Sequence, residues 1–255
     1  MPVKPTERFS DRVENYVKYR PHYPEEIIDY LTEKNILRKE SDIADIGSGT
    51  GILTELFLKN GNKVYGIEPN KEMREAGEVF LKDYTNFVSV EGTAESAPLE
   101  KNSADLIIAG QAFHWFDFGK AKEEFKRIMK PGGCVVLIWN VRKLDTTPFL
   151  KSYEEMLVKY GTDYLKIRHE NVNDEVLSEF FEGKYEKKTF YNEQIFDFES
   201  LKGRLLSSSY SPTNEMPSYK PMLEQLQKLF DDYNDKGKII ISYDTNVYSG
   251  SVNRE

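Results

Sequence analysis

Residues Asp42 to Gly51 read Asp-Ile-Ala-Asp-Ile-Gly-Ser-Gly-Thr-Gly, and no other stretch of the chain restricts its fold as strongly. A short strand (Ile43, Ala44, Ile46) runs into glycines at three alternate positions, Gly47, Gly49 and Gly51. An apolar stripe at helical spacing follows at once: Ile52, Leu53, Leu56 and Phe57. Strand, glycine turn and helix in this order form the first unit of a doubly wound α/β sheet, which brings bare backbone to a nucleotide-like ligand at the strand's carboxyl end. Glycine is required because the turn visits positive φ and because a Cβ would hold the ligand off the backbone.

Strand and helix patterns then alternate. Asn60-Gly61 stops the first helix. Lys63 to Glu68 reads as a second strand with Glu68 at its carboxyl end, 17 residues past Gly51. A carboxylate there can accept hydrogen bonds from both hydroxyls of a ribose. An exposed strand-end glutamate is the simpler reading, and the preceding glycine loop turns the balance toward ribose. Pro69-Asn70 opens a helix through about Tyr84, Phe87 to Val90 is a third strand, and Glu91 to Pro98 is a loop. Ala104 to Ala109 is apolar throughout, as a strand covered on both faces would be, and ends in Gly110-Gln-Ala-Phe-His-Trp-Phe-Asp117. A helix from about Phe118 to Met129, a tight turn at Lys130 to Gly133 and a fifth strand at Cys134 to Trp139 complete a parallel α/β pattern. Beyond it the chain changes character. Helices are expected at Leu150–Tyr160, Val172–Phe181, Leu201–Leu206 and Met222–Phe230, with strands at Lys187–Ile195 and Lys238–Tyr248.

The ligand follows from the glycine spacing. A dinucleotide fingerprint, G-x-G-x-x-G, needs its third glycine at position 52, where this chain has Ile52. G-x-G-x-G with Asp45 two residues ahead resembles motif I of the class I S-adenosylmethionine-dependent methyltransferases. The run Glu68-Pro-Asn-Lys-Glu-Met resembles the pattern after their second strand. Tyr-Arg-Pro-x-Tyr-Pro at Tyr19 to Pro24, and Gln111 to Phe116, resemble the methyltransferase type 11 group related to trans-aconitate methyltransferase. The main resemblance covers roughly Ile43 to Trp139. It implies a Rossmann-like, doubly wound, seven-stranded and mostly parallel α/β sheet with helical insertions, the last strand antiparallel beside the fifth. It also implies one domain over 1–255: a helical lid at 1–40, a cofactor core at 41–140, a helical substrate cap with a late strand at 141–235, and a closing strand at 236–255. The cofactor would be S-adenosyl-L-methionine, held by Asp45, Gly47, Ser48, Gly49, Gly51, Glu68, Pro69, Met73 and Gln111. Thr93, Ala94 and Glu95 match the loop that faces the adenine, unless they form a plain turn.

Methyl transfer is an in-line displacement that depends mainly on positioning in a dry pocket. Substrate contacts are expected from Tyr19, Arg20, His114, Trp115, Trp139 and Arg142. Arg20 and Arg142 suit a substrate carboxylate, since guanidinium matches it bidentately, and either could equally be a surface ion-pair partner. His114 is the candidate catalytic residue, with pocket wall, acceptor orientation and general base as its possible roles. The tyrosine-rich stretch Phe9 to Pro24 is either a surface helix or a lid, and Ser207 to Tyr210 are further candidates for the pocket. The preferred acceptor is a small molecule with a carboxylate or other oxygen. A nucleobase is disfavoured, because the fourth strand leads into Gln111-Ala-Phe-His rather than an Asn/Asp-Pro-Pro-aromatic run. The alternatives are a non-catalytic S-adenosylmethionine-binding module and an NAD(P)-dependent oxidoreductase.

Composition narrows the partners. A net charge of -8 and a pI of about 5.2 argue against nucleic acid, which needs a basic face. Lys184 to Lys188 reads as a solvated strand or loop. Cys134 is the single cysteine, so no disulfide forms within the chain, as suits a reducing cytoplasm. With no signal-peptide core and no run of about 18 apolar residues, a soluble cytoplasmic protein without membrane contact is expected. Clustered metal ligands are not evident, so no metal is expected. The sequence sets no oligomeric state.

Overall fold

The apolar runs pair into one seven-stranded sheet in the order β3-β2-β1-β4-β5-β7-β6. The strands are β1 (Asp42–Ile46), β2 (Lys63–Ile67), β3 (Phe87–Val90), β4 (Ala104–Gly110), β5 (Met129–Arg142), β6 (Tyr185–Phe196) and β7 (Ile239–Gly250). They belong to a computed structural model that describes residues 18–167 and 174–252. β1 to β5 pair in parallel, and β7 runs antiparallel between β5 and β6. Strand order reverses between β1 and β4, and the crevice above their carboxyl ends is where such sheets bind ligands.

Helices cover both faces. On one side α1 (Glu26–Glu33) and α2 (Ile52–Lys59) pack Ile27, Leu31, Leu53 and Phe57 on Ile43, Val64, Leu106, Ile108, Val136 and Ile138. α3 (Lys71–Phe80) is capped by Asn70, whose side chain accepts from the Met73 amide. On the other face α4 (Phe118–Ile128) buries Ala121, Phe125 and Ile128 against Ala44, Ile46, Ile107 and Leu137. Alternation along a strand sorts β5 between these layers. Val135, Leu137 and Trp139 face α4, whereas Val136 and Ile138 face α1 and α2.

β6 and β7 continue past the parallel sheet. β7 pairs with β5 only from Tyr243 onward, but with β6 from Ile239. The overhang carries a third apolar cluster with α5 (Pro148–Tyr160), α6 (Tyr164–Ile167), α8 (Phe198–Leu206) and α9 (Tyr219–Tyr233). α7 (Asp174–Phe180) packs instead beside α4 through Leu177 and Phe180.

Some boundaries differ from expectation. The turn expected at Lys130 to Gly133 is a bulged start of β5. Met129 pairs with Ala104 and the register slips before Cys134 meets Leu106. Gly132 takes φ 78° to absorb the extra residues. The helix after Pro69 ends at Phe80, before its expected end near Tyr84. Cys134 in β5 is half-buried, and its thiol is pushed up to about 11 by that burial. Of the tyrosine-rich stretch Phe9 to Pro24, residues 9–17 lie outside the described residues, as does the start of the helix expected at Val172.

Candidate functional site

Above the carboxyl ends of β1, β4 and β5 lies a cavity of about 500 Å³, within the range of small-molecule pockets. One wall is the glycine loop. Gly47, Gly49 and Gly51 have φ of 70°, 58° and 84°, in the left-handed region that favours glycine. The end of β2 pins the loop, because the amides of Gly47 and Ser48 both donate to the Ile67 carbonyl at 2.8 and 3.1 Å. Glu68 adds a second tie: one oxygen accepts from the Gly49 amide at 2.9 Å and the other from the Asn70 amide at 2.8 Å. Each carboxylate oxygen keeps a further lone pair, and the carboxylate lines the cavity.

Asp45 lies beneath the loop and is fully buried. Its Oδ2 accepts from the Thr54 hydroxyl at 2.6 Å, and its Oδ1 has no hydrogen-bond partner among the described residues. Burial, countered by Thr54 and reinforced by the charge of Glu68, pushes the carboxyl up to about 7. Burial also raises Glu68, against the two amides and Arg74 that favour its charged form. Two desolvated acids at one end of a cavity favour a ligand that brings hydroxyl donors or positive charge.

At the end of β4, Gln111 turns the chain with φ 57°. Its amide donates to the Ile138 carbonyl and its side chain to the Asn140 carbonyl at 3.0 Å. Its buried Oε1 has no partner among the described residues. The turn that follows presents His114, Trp115 and Phe116 to the cavity, with the His114 and Trp115 rings 4.7 Å apart. Pro69, Met73, Thr93, Ala94 and Glu95 also line it. The Glu95 carboxylate is already engaged by the Asp117 amide at 2.8 Å.

The N-terminal stretch Tyr19–Tyr23 lies across the ends of β5, β6 and β7. Its carbonyls accept from three amide side chains: Asn140 (His22, 3.3 Å), Asn192 (His22, 2.7 Å) and Gln194 (Tyr19, 3.1 Å). Arg20, Pro21 and Tyr23 reach the cavity, and Arg20 donates to the Ser207 carbonyl at 3.0 Å.

The structure corrects several expected roles. Trp139 does not reach the cavity, because strand parity turns it to the α4 face, edge-on to Phe113 and Tyr248. Its neighbours Asn140 and Arg142 line the cavity instead. Tyr19 packs its ring over Gly203, where a Cβ would lie 2.1 Å away. Gly51 lies behind the loop against Leu81, 2.5 Å from a Cβ there, so its glycine serves packing rather than ligand access. Arg142 does line the cavity, but Glu154 neutralises it and Tyr164 bonds it at 2.9 Å. Tyr23 of the expected lid, Asn140 at the end of β5 and Tyr210 line the cavity too, and so do Arg204 and Tyr243, to which the sequence had given no role. No helix among the described residues is long and apolar enough to cross a membrane.

Comparison with known proteins agrees with this geometry. Residues 44–137 match the methyltransferase domain family model. An uncharacterized methyltransferase-like protein of Schizosaccharomyces pombe is 33% identical over 61% of this chain and 59% of its own length. The chain therefore spans less than two thirds of that relative. A second uncharacterized methyltransferase from the same yeast is 29% identical over 82% of this chain and 80% of its own. Among solved structures, a proposed type II methyltransferase of Anaeromyxobacter dehalogenans superposes with a TM-score of 0.65 at 16% identity, covering 93% of this chain and all of that one. That likeness bears on the fold.

Proposed function

We propose that this chain, whose residues 44–137 match the methyltransferase domain family model, is a class I S-adenosylmethionine-dependent methyltransferase that transfers a methyl group from that cofactor to a small-molecule acceptor, with a carboxylate or another oxygen as the receiving atom. The observation that carries this reading is the polarity of the cavity. Asp45 and Glu68 line it beside the glycine loop, and Arg20, Arg142 and Arg204 line it beside the cap. The first group suits a cofactor that carries a ribose and positive charge, and the second suits an anionic acceptor.

The residues fit the cofactor. The spare lone pairs of Glu68 can take both ribose hydroxyls, and the partnerless Oδ1 of Asp45 can face a cationic group. A Cβ at Gly49 would touch Met73 at 3.4 Å and narrow the cavity. Thr93, Ala94 and Glu95 supply the adenine wall, and Gln111 offers its Oε1. When bound, S-adenosylmethionine supplies a methyl group already activated on a sulfonium, so the protein's task is orientation and the exclusion of water.

Each of those tasks falls to residues of this chain. Tyr19–Tyr23 roofs the cavity. His114 and Trp115 form the wall that aligns the acceptor. A carboxylate acceptor is already a nucleophile and needs no proton removed, so His114 orients rather than deprotonates it; a hydroxyl acceptor would require it as general base. Calorimetric titration with S-adenosylhomocysteine, the demethylated cofactor, tests the reading. Micromolar or tighter binding is expected. No binding, together with saturable binding of a reduced nicotinamide cofactor, would transfer the cavity to oxidoreductase chemistry.

A further inference from the structure

Three arginines hold a carboxylate in ion-pair distance, Arg74 with Glu91, Arg127 with Glu124 and Arg142 with Glu154, and Arg38, which has none among the described residues, is exposed to solvent. Arg204 on α8 is different. It is 8% exposed, lines the cavity, and has no carboxylate in ion-pair distance among the described residues. It donates to the Ser208 hydroxyl at 3.0 Å, and its Nε has no hydrogen-bond partner among the described residues. Tyr243, which lines the cavity with it, donates its hydroxyl to Gln194 at 2.9 Å. A buried charge needs a partner of opposite sign. Where the fold supplies none and the group faces a cavity, a ligand is the remaining source.

We propose that Arg204, flanked by Tyr210 and Tyr243, is an anion subsite that anchors a carboxylate of the acceptor on the cap side of the cavity. The inference rests on the methyl-transfer reading and makes it more specific: Arg204, not the neutralised Arg142, selects the substrate. One uncompensated guanidinium among neutral hydroxyls balances one negative charge, which suits a carboxylate better than a phosphate dianion. Tyr210 responds to the same field. Burial pushes its phenol up, yet the guanidiniums of Arg204, Arg142 and Arg20 outweigh that and hold it below its ordinary value.

The experiment titrates the full chain, saturated with S-adenosylhomocysteine, with benzoate, succinate, their amides and inorganic phosphate. At least one carboxylate is expected to bind about tenfold or more tightly than its amide and than phosphate. R204M should abolish that preference, leave S-adenosylhomocysteine affinity unchanged and not lower the melting temperature of the unliganded protein, because methionine replaces a charge the fold does not pair. R204K, which keeps the charge without the planar fork, should retain part of the preference. Carboxylate and amide binding alike, no carboxylate binding at all, or R204M and R204K behaving identically would each overturn the proposal. So would a tyrosinate absorption band near neutral pH that disappears in R204M, which would make Tyr210 the resident counter-ion. If the wild type fails to bind S-adenosylhomocysteine, the methyl-transfer reading fails instead, and the same titrations without it still report on Arg204.

Discussion

Replacing Glu68 by glutamine separates the two tasks assigned to this carboxylate. Its oxygens accept from the Gly49 amide at 2.9 Å and the Asn70 amide at 2.8 Å. Glutamine keeps the shape but can aim its single carbonyl at only one of them, so its NH2 faces the other amide, donor to donor. One buried N–H left unsatisfied costs about 1–3 kcal/mol. At roughly 2–4 °C per kcal/mol for a chain near this size, the melting temperature should fall by about 2–12 °C. The lower part of that span is expected, since burial already raises Glu68 and removing its charge relieves desolvation. Cofactor binding should suffer separately. Losing one charge-assisted hydrogen bond to ribose, worth about 1.5–3 kcal/mol, weakens affinity by about 10- to 150-fold. Glu68→Ala should weaken it by at least about tenfold on the same grounds. Calorimetry with S-adenosylhomocysteine and thermal unfolding read the two effects independently. A lowered melting temperature with unchanged affinity would refute the ribose assignment and leave Glu68 as a tie for the glycine loop.

Three further perturbations isolate other parts of the account. Gly51→Ala places a Cβ at φ 84° and 2.5 Å from Leu81; it should cost about 1–2 kcal/mol of stability for the left-handed backbone, more with the Leu81 contact, and change cofactor affinity little once folded. Gly203→Ala puts a Cβ 2.1 Å from the Tyr19 ring, so it should displace the roof and raise the acceptor KM several-fold, with S-adenosylhomocysteine affinity unaltered. The buried Asp45 carboxyl stands at about 7 against an ordinary 3.8, so the folded protein holds its proton where the unfolded chain has lost it. Its contribution to stability is full below 3.8 and is lost as pH rises through about 7. Unfolding of the unliganded protein across that window should therefore show a decline that Asp45→Asn flattens.

The parts of this molecule that were legible in the sequence are those set by local spacing. The glycine loop, Glu68 at the end of β2 and the turn after β4 each follow from one strand and its exit, and the structure places them on one cavity. Parity was harder. Trp139 and Asn140 are adjacent, and only the packing of Val136 and Ile138 against α1 and α2 decides that Asn140, not Trp139, meets the cavity. The cap side was hidden for another reason. Arg204, Tyr210 and Tyr243 lie on a helix, a loop and a strand far apart in the chain, and nothing near Arg204 in sequence announces that it lacks a carboxylate. The overhang of β6 and β7 beyond β5, which carries this cluster, is likewise a property of pairing rather than of composition.

Transfer of an isotopically labelled methyl group from S-adenosylmethionine to a panel of small carboxylic acids tests the central claim most directly. The account predicts label in at least one acid, as a methyl ester that mild base hydrolyses, with the corresponding amide left unlabelled. Tight cofactor binding with no label in any acid, or label that base does not release, would contradict it.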